Sequence, residues 1–216
     1  MKETKKTSSI CAIILAAGTS TRMGKAKQLL LLNEKPLLEH VIQHALAVDF
    51  AEVITVIGYN AQPIQNKIAV DDHRFHWVIN HEYALGLSTS LQAGILHVSK
   101  HHNGIMVFLG DLPFLLKETV QSIFLAGNEM LMKSDKSFMI QPSYHGKSGH
   151  PVFFGNFDRN LFMGLKGDIG AKAVIKNIPN RKMIEVKDKG ILTDIDTPEA
   201  YEKAKQYYVD YLKRTP

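Results

Sequence analysis

Three short runs of apolar residues recur along the first half of the chain, and each is rich in Ile, Val or Leu. They lie at Ile10–Leu15, Val53–Ile57 and Ile105–Leu109. Continuous apolar runs of this length are typical of parallel strands that are buried on both faces of a sheet. Because neighbouring parallel strands need a crossover connection, usually a helix, these runs predict an α/β fold with helices on both faces.

The segments between these runs have the spacing of amphipathic helices. In Pro36–Val48 the apolar side chains share one face, and the predicted polar face carries Glu39, His40, Gln43 and His44. The pattern also predicts a strand at Phe75–Ile79 and helices at Ser90–Ser99 and Phe114–Glu129. This alternation of strands and helices favours a sheet that is mostly parallel.

The second half of the chain begins with a different pattern. Two apolar runs within Phe138–Phe154 flank the polar stretch Tyr144–Gly149, which is typical of a β-hairpin. Two short helices, a late strand and a final helix are predicted at Asp158–Met163, Ala171–Lys176, Lys182–Val186 and Pro198–Lys213. We therefore predict a three-layer, Rossmann-like α/β fold with a mostly parallel sheet and a β-hairpin excursion in its second half. We expect one domain over residues 10–216, after a tail at residues 1–9.

Composition and charge narrow the class of protein further. The 216 residues include 26 Lys and Arg against 21 Asp and Glu, and the formal charge of +5 suits an anionic ligand. Acidic residues interrupt most basic stretches, as at Lys187–Lys189, so we expect no nucleic-acid partner. No apolar run reaches the roughly 18 residues of a membrane span, which predicts a cytoplasmic protein without a membrane partner. The single cysteine, Cys11, excludes an intramolecular disulfide and lies in a predicted buried strand.

The most informative segment is the loop that follows the first strand, within Leu15–Lys27. It contains Gly18 and Gly24 and ends in a cluster of basic residues. Glycines let backbone N–H groups approach a phosphate closely, and basic side chains neutralise its charge. The loop is neither a Walker A loop nor a G-x-G-x-x-G motif, because five residues separate the glycines and position 20 is Ser20. The residues alone thus indicate either a phosphate-binding loop or an ordinary strand-to-helix turn with a basic rim.

Six short motifs follow one another along the chain. They are Leu15-Ala16-Ala17-Gly18 with Ser20, Arg22, Met23, Gly24 and Lys27; Lys35–Leu38; Asn80 with Tyr83, Gly86, Leu87, Thr89 and Ser90; Gly110–Pro113; Gly149–Pro151; and Asp194–Pro198. With these motifs in this order, over roughly residues 10–205, the sequence resembles the MobA-like nucleotidyltransferases. More narrowly, it is similar to the molybdenum cofactor cytidylyltransferases.

The resemblance implies that the terminal phosphate of the molybdenum cofactor attacks the α-phosphorus of CTP. Pyrophosphate then leaves, and molybdopterin cytosine dinucleotide is formed, mainly through positioning and charge neutralisation. The implied catalytic residues are Arg22, Lys27 and Asp111. The implied nucleotide-binding residues are Leu15, Ala16, Ala17, Gly18, Ser20, Arg22, Gly24, Lys27, Asn80, Gly86, Ser88 and Ser90. The implied residues for the acceptor substrate are Gly149, His150 and Pro151.

Asp111 and Asp196 are the metal-binding candidates that the resemblance implies, with Mg²⁺ as the cofactor. Asp111 follows a predicted strand, and a carboxylate at the carboxyl end of a strand can hold Mg²⁺ against phosphate oxygens. Two alternatives stay open, because Asp111 could cap the helix at Phe114–Glu129 and Asp196 could belong to the start of the last helix. Asp194 lies close enough in the sequence to take the place of Asp196.

Other activities also stay open. A protein of this kind could use GTP, could transfer a nucleotidyl group to another phosphorylated acceptor, or could carry the finished dinucleotide as a maturation chaperone. The resemblance associates Ala16-Ala17-Gly18 with cytidylyl transfer, and a methyl group at Ala17 beneath the base would favour a pyrimidine over a purine. We therefore expect CTP and the molybdenum cofactor as substrates. We also expect transient contact with a molybdenum hydroxylase or its maturation factor.

Overall fold

A computed structural model of the protein describes residues 10–24, 26–169 and 172–212, without the side chains of residues 22, 169, 172–173 and 209–212. Its strands are β1 (Ile10–Leu15), β2 (Leu31–Leu32), β3 (Lys35–Pro36), β4 (Glu52–Ile57), β5 (Phe75–Ile79), β6 (Gly104–Leu109), β7 (Phe138–Tyr144), β8 (Lys147–Ser148), β9 (Val152–Gly155) and β10 (Asn180–Glu185). Its helices are α1 (Leu37–Leu46), α2 (Ala61–Lys67), α3 (Leu87–His97), α4 (Lys117–Lys133), α5 (Arg159–Met163), α6 (Lys172–Asn177) and α7 (Pro198–Leu212). Short 3₁₀ turns lie at Thr21–Met23, Lys27–Leu29, Tyr83–Leu85, Gly167–Ile169 and Lys189–Leu192.

Eight strands form one sheet in the order β10-β7-β9-β6-β1-β4-β5, with β8 paired to β7. β1 lies between β4 and β6 and is parallel to both, and β5 continues the parallel arrangement beyond β4. β9 runs antiparallel between β6 and β7, whereas β10 is parallel to β7. The prediction of a mostly parallel, Rossmann-like sheet is therefore confirmed. β2 and β3 form a separate two-stranded hairpin.

The side chains of β1 show how the layers are built. Ile10 and Ile14 pack in a core cluster with residues of α1 and α4, whereas Cys11 and Ile13 pack in a second cluster with residues of α3. All four side chains are fully buried. A central strand covered by helices on both faces explains why this segment is a continuous apolar run and does not alternate.

The excursion predicted within Phe138–Phe154 begins with the hairpin of β7 and β8. His145 and Gly146 form its turn, with φ angles of 49° and 74°. Positive φ at both central residues is what the favoured two-residue hairpin turn requires. The chain then returns as β9, which pairs with both β6 and β7 and so joins the excursion to the central sheet.

The helices differ from the prediction mainly at their starts. α4 begins at Lys117 and not at Phe114, because Phe114 is buried in a cluster with residues of α7 and the N–H of Leu116 donates to Oδ2 of Asp188 at 2.9 Å. α3 begins three residues before its predicted start. The predicted tail at residues 1–9 lies outside the described residues. The same is true of Ala171 and Lys213, where one predicted helix begins and another ends. Among the described helices, none is both long and apolar enough to cross a membrane.

The polar face predicted for α1 is wrong at His40. This side chain is buried, its Nε2 lies 2.8 Å from the carbonyl oxygen of Leu32, and its ring packs edge-on against Tyr208. Nε2 of His44 lies 2.9 Å from the carbonyl oxygen of Pro113. A histidine whose polar atom is paired with a neighbouring carbonyl can be buried at a position where periodicity predicts solvent.

Candidate active site

The loop predicted to bind phosphate leaves the carboxyl end of β1 at the centre of the sheet. The N–H of Ala16 still donates to the carbonyl oxygen of Val56 at 2.8 Å, and the chain then turns at Ser20, whose φ of 54° is left-handed. The 3₁₀ turn Thr21–Met23 follows, and Gly24 ends it with a φ of 66°. Ligands of open α/β sheets bind outside the carboxyl ends of the strands. The loop therefore lies where a phosphate site is expected.

A buried amide, Gln28, holds this loop in place. The residue is 2% exposed, and its Nε2 donates to the carbonyl oxygens of Ala16 at 2.8 Å and Gly18 at 3.0 Å. Its Oε1 accepts the hydroxyl of Ser20 at 3.4 Å, and the same Ser20 Oγ accepts the N–H of Lys27 at 3.2 Å. These bonds fix the orientation of the peptide groups in the loop. Gln28 is not among the site residues that the sequence predicts, because its only signal is a polar residue at the start of an apolar run.

Three charged side chains meet beside this loop. Nζ of Lys27 lies 2.7 Å from Oδ2 of Asp111 and forms a second ion pair with Oδ1 of Asp196. The three side chains are largely buried, with 18%, 17% and 27% of their surface exposed, respectively. Burial by itself would lower the pKa of Lys27, but the two carboxylates outweigh burial and raise this pKa above its ordinary value. The Lys27 ammonium therefore keeps its charge at neutral pH.

Backbone hydrogen bonds bring these distant residues together. Where β6 ends, the N–H of Gly110 donates to the carbonyl oxygen of Leu15 at 2.9 Å, which places Asp111 next to the loop after β1. The carbonyl oxygen of Asp111 accepts the N–H of Ile195 at 3.1 Å, which places Asp196 beside the end of β6. The cluster therefore depends on the folded sheet and not on one local motif.

Neither carboxylate acts as the helix cap that the sequence left open. α4 begins well after Asp111, with Leu116 at its N-cap position. At the start of α7, Oγ1 of Thr197 accepts the N–H of Ala200 at 3.2 Å, so Thr197 and not Asp196 provides the cap. Both carboxylates instead belong to the charged cluster.

Asp194 lies at the edge of the same cluster and is itself exposed. Partial desolvation, and then the nearby carboxylates of Asp111 and Asp196, raise its pKa. Because Asp196 forms the ion pair with Lys27, the structure favours Asp196 over Asp194 as the second acidic residue of the site.

The carboxylate oxygens of this cluster fit a divalent cation. Oδ1 of Asp111 is buried and has no hydrogen-bond partner within the described part of the chain, which is costly for an ionised oxygen unless a cation faces it. Mg²⁺ prefers oxygen ligands and is commonly bound by one or two carboxylates together with substrate phosphates. No group of three or more His, Cys, Asp or Glu side chains among the described residues could hold a metal ion. Asp111 and Asp196 would therefore bind such an ion jointly with a nucleotide.

The loop and the charged cluster line one cavity of about 500 Å³. Its described lining residues are Gly18, Thr19, Ser20, Thr21, Lys27, Tyr83, Ala84, Gly86, Leu87, Ser90, Asp111, Asp168 and Asp196. Their side chains include three carboxylates and one ammonium group. A triphosphate would be repelled by this excess of negative charge, so the charge balance also favours a nucleotide that enters with a metal ion.

The predicted nucleotide-binding residues fall into two groups. Those that line the cavity are Gly18, Ser20, Lys27, Gly86 and Ser90. Those that are buried behind its wall are Leu15, Ala16, Ala17, Asn80 and Ser88. Asn80 organises the turn before α3, because its Nδ2 donates to Oγ1 of Thr89 at 2.9 Å and to Oγ of Ser90 at 3.0 Å. Gly24 is exposed at the end of its turn, and the side chain of Arg22 lies outside the described part of the structure.

Gly149, His150 and Pro151 lie beyond the described lining of this cavity. The N–H of Gly149 donates to the carbonyl oxygen of Pro142 at 2.9 Å, and the N–H of His150 donates to that of Ile191 at 3.2 Å. A Cβ atom on Gly149 would come within 2.5 Å of the Ile191 carbonyl oxygen, so a glycine is needed for this close approach. Their role toward an acceptor substrate stays a prediction.

Asp168 lines the cavity but is not among the site residues that the sequence predicts. It lies in the 3₁₀ turn Gly167–Ile169, and its Oδ1 accepts the N–H of Leu87, the first residue of α3, at 3.1 Å. A Cβ atom on Gly86 would lie 2.5 Å from the carbonyl carbon of Gly167, so the glycine lets this turn pack against the start of α3. Asp168 and Leu87 are 81 positions apart, and no local pattern signals their contact.

Comparisons with known proteins show which family the chain belongs to. A family model described as the MobA-like NTP transferase domain matches residues 12–183. The purine catabolism protein PucB of Bacillus subtilis is 28% identical over 91% of this chain and 96% of its own length. The molybdenum cofactor cytidylyltransferase of Escherichia coli is 27% identical over 94% of this chain and 99% of its own.

Among solved structures, Rv0371c of Mycobacterium tuberculosis H37Rv is 24% identical, with a TM-score of 0.77 over 92% of this chain and 98% of that protein. That protein has also been solved in complex with manganese. The region that the family model matches includes the loop after β1, Lys27 and Asp111. The protein is thus a nucleotidyltransferase, and its chain belongs to the MobA-like NTP transferase family.

Proposed function

We propose that this nucleotidyltransferase moves CMP from CTP to the terminal phosphate of the molybdenum cofactor, with Mg²⁺ as its own cofactor. The products are molybdopterin cytosine dinucleotide and pyrophosphate. The observation that carries the proposal is the pairing of Lys27 with Asp111 and Asp196 in the cavity that the loop after β1 also lines. The similarity to the Escherichia coli cytidylyltransferase over 94% of this chain supports the choice of substrates.

The residues of the cavity suit phosphoryl chemistry in which no side chain forms a covalent intermediate. As the acceptor phosphate attacks the α-phosphorus, negative charge grows on the phosphoryl oxygens and on the departing pyrophosphate. Fixed cations and N–H donors stabilise that charge because they need no reorganisation when it appears. Lys27 supplies the cation. Gln28 holds the peptide groups near Gly18 and Ser20 in the orientation that the loop requires.

Asp111 and Asp196 are the residues that would hold the Mg²⁺ ion. When bound, this ion supplies charge neutralisation on the phosphate oxygens and on the leaving group. The buried Oδ1 of Asp111, which has no hydrogen-bond partner among the described residues, would gain a partner in this ion. Lys27, which already pairs with both carboxylates, would lie at the boundary between the metal-binding groups and the phosphates.

The methyl group of Ala17 does not explain a preference for CTP over other nucleotides. Ala17 is 3% exposed, its side chain packs in a core cluster with Ile13 and Val56, and it is absent from the described lining of the cavity. The expectation that this methyl narrows the base pocket is therefore not supported. Hydrogen bonds to the edge of the base are the remaining means of selection, and Gly86 and Ser90 line the cavity where such bonds can be made.

Pyrophosphate release tests the proposal. We would incubate the protein and Mg²⁺ with CTP, GTP, UTP or ATP, each with and without purified molybdenum cofactor, and identify the product by mass spectrometry. We expect release only when the cofactor is present, with CTP as the preferred nucleotide and a cytosine dinucleotide as the product.

Three other results would each replace this proposal. Preference for GTP would indicate a guanylyltransferase, and release with a different phosphorylated acceptor would change the substrate class. Tight binding of the finished dinucleotide without turnover would indicate a maturation chaperone for a molybdenum hydroxylase.

A further inference from the structure

Asp168 places a negative charge in a cavity that is otherwise suited to a triphosphate. It belongs to the same described lining as Lys27 and Asp111. Unlike Asp111, however, it has no ion pair with Lys27 among the described contacts, and it contacts the start of α3 instead. A carboxylate repels phosphate oxygens and accepts hydrogen bonds, so Asp168 is suited to a part of the substrate that donates them.

The start of α3 holds this carboxylate in place. Oδ1 of Asp168 accepts the first N–H of the helix, from Leu87, at 3.1 Å. Helix amino termini favour negative charge, because unpaired N–H groups and the helix dipole both stabilise it. With Oδ1 engaged in this way, Oδ2 is the oxygen with capacity to accept hydrogen bonds from a bound molecule.

We propose that Asp168 binds the ribose hydroxyl groups of the nucleotide. This inference rests on the proposed function, since it takes the cavity to be the nucleotide site. Two vicinal hydroxyls are paired, uncharged donors, and they match one carboxylate that already has a partner on its other oxygen. The neighbouring Gly86 leaves room for this carboxylate, because a Cβ atom there would lie 2.8 Å from Oδ1 of Asp168. Asp168 would thus make the enzyme select ribonucleotides over deoxyribonucleotides.

Equilibrium binding in the presence of Mg²⁺ tests this role independently of the acceptor substrate. We would measure Kd by calorimetry for CTP, GTP, UTP and ATP, and for the 2′-deoxy and 3′-deoxy forms of the preferred nucleotide. We expect the wild type to bind the ribonucleotide about tenfold or more tightly than each deoxy form, because a hydrogen bond to a charged group is lost. In Asp168→Asn we expect the Kd values for the ribonucleotide and the deoxy forms to become similar, mainly because the ribonucleotide binds more weakly.

The Asn variant keeps an oxygen that can accept the Leu87 N–H, so this hydrogen bond is retained and the fold is expected to persist. Asp158→Asn is the matched control. Asp158 is also an aspartate at a helix start, where it caps α5 with Oδ1 accepting the N–H of Asn160 at 2.9 Å, but it lies outside the described lining of the cavity. We expect this control to leave all nucleotide affinities unchanged.

The outcomes separate this inference from the proposed function. Binding of no nucleotide by the wild type would overturn both. Equal wild-type affinity for the ribonucleotide and both deoxy forms would overturn the role of Asp168 alone, even if the Asn variant failed to fold. The ratio of Kd values between the deoxy form and the ribonucleotide could also stay unchanged in Asp168→Asn while discrimination between CTP and UTP is lost. That result would show that the carboxylate contacts the amino group of the base, and it would overturn the ribose role of Asp168.

Discussion

Nζ of Lys27 lies 2.7 Å from Oδ2 of Asp111, although the two residues are 84 positions apart in the sequence. Both side chains are largely buried, so water screens this pair less than it would on the surface. Removing one partner of such a pair leaves the other charge without full compensation, which typically costs more than the pair contributes. Substitutions here should therefore affect stability as well as activity, and each measurement needs its own control.

Replacing Asp111 tests the metal assignment. We expect Asp111→Ala to lower turnover by at least about 100-fold, because an oxygen ligand of the cation is lost. We expect the fold to persist, since Asp196 still pairs with Lys27. Turnover measured against Mg²⁺ concentration and circular dichroism would check both points. Asp194→Ala at the edge of the cluster is the control, and wild-type activity of Asp111→Ala at low millimolar Mg²⁺ would contradict the assignment.

The basic residues of the loop test its phosphate-binding role. We expect Lys27→Ala and Arg22→Ala each to weaken CTP binding or slow transfer, with about 2–4 kcal/mol lost if the charge acts mainly in the transition state. The matched control is Lys133→Ala, because Lys133 is exposed and pairs with Glu129 on α4. Steady-state kinetics for CTP would show the effect. Wild-type kinetics in both loop variants would contradict a phosphate-binding role and would show that Lys27 and Arg22 are structural or surface residues.

Gln28 provides a test of how the loop is held. In Gln28→Ala the carbonyl oxygens of Ala16 and Gly18 lose their buried donor, so we expect the free energy of unfolding to fall by about 2–3 kcal/mol. We also expect kcat/KM for CTP to fall about tenfold, because the loop is no longer fixed. Asn156→Ala is the control, since Asn156 donates to the carbonyl oxygen of Ser134 at 2.6 Å near the start of β6. Lower stability with unchanged kinetics in Gln28→Ala would show that its role is only structural.

The strands could be predicted from the sequence because their pattern is local. Ile10–Leu15 and Phe75–Ile79 were predicted with the bounds that the structure shows. The start of α4 could not be predicted in this way, because it depends on a hydrogen bond from the N–H of Leu116 to Asp188, 72 positions away. Periodicity describes which residues face a core, but it contains no information on which distant side chain satisfies a backbone group.

Some residues of the candidate site could be predicted from the sequence, whereas others become apparent only in the fold. The resemblance implies roles for Lys27, Asp111 and Asp196, and the structure pairs Lys27 with both carboxylates. Gln28 and Asp168 were missed because their chemistry is common and only their positions in the fold make them notable. A buried amide and a carboxylate beside a helix start become functional candidates when the structure shows that they support the loop or line the cavity.

Two histidines on α1, the buried His40 and the half-buried His44, predict that the free energy of unfolding depends on pH. Burial lowers the pKa of His44 below its ordinary value of 6.5, although its bond to the carbonyl oxygen of Pro113 offsets part of this, and burial lowers the pKa of His40 as well. The unfolded chain therefore takes up protons at a higher pH than the folded one. We expect full stability above about pH 6.5 and a decreasing free energy of unfolding as the pH falls below it.

Urea unfolding at pH 7.5, 6.0 and 5.0 would measure this decrease. His44→Gln keeps an N–H donor for the Pro113 carbonyl but cannot take up a proton, so it should make the decrease smaller. His76→Gln on the exposed side of β5 is the control. An equal pH dependence in the wild type and in His44→Gln would contradict the assignment of the effect to His44.

Ala17 separates two explanations of base selection. Its methyl packs in the core beside Ile13, so Ala17→Gly should lower the free energy of unfolding by about 1 kcal/mol through lost burial and added chain entropy. We expect it to change the ratio of CTP to GTP use by less than about threefold. We would let CTP and GTP compete for the molybdenum cofactor and identify the nucleotide in the product.

Ser90→Ala is the comparison for this measurement, because Ser90 lines the cavity and receives a hydrogen bond from Asn80. A large loss of CTP preference in Ala17→Gly would show that the methyl contacts the base in the nucleotide complex after all. A product that contains mainly guanine in the wild type would overturn cytidylyl transfer. It would leave the cluster of Lys27, Asp111 and Asp196 as the site of a nucleotidyltransferase with another base preference.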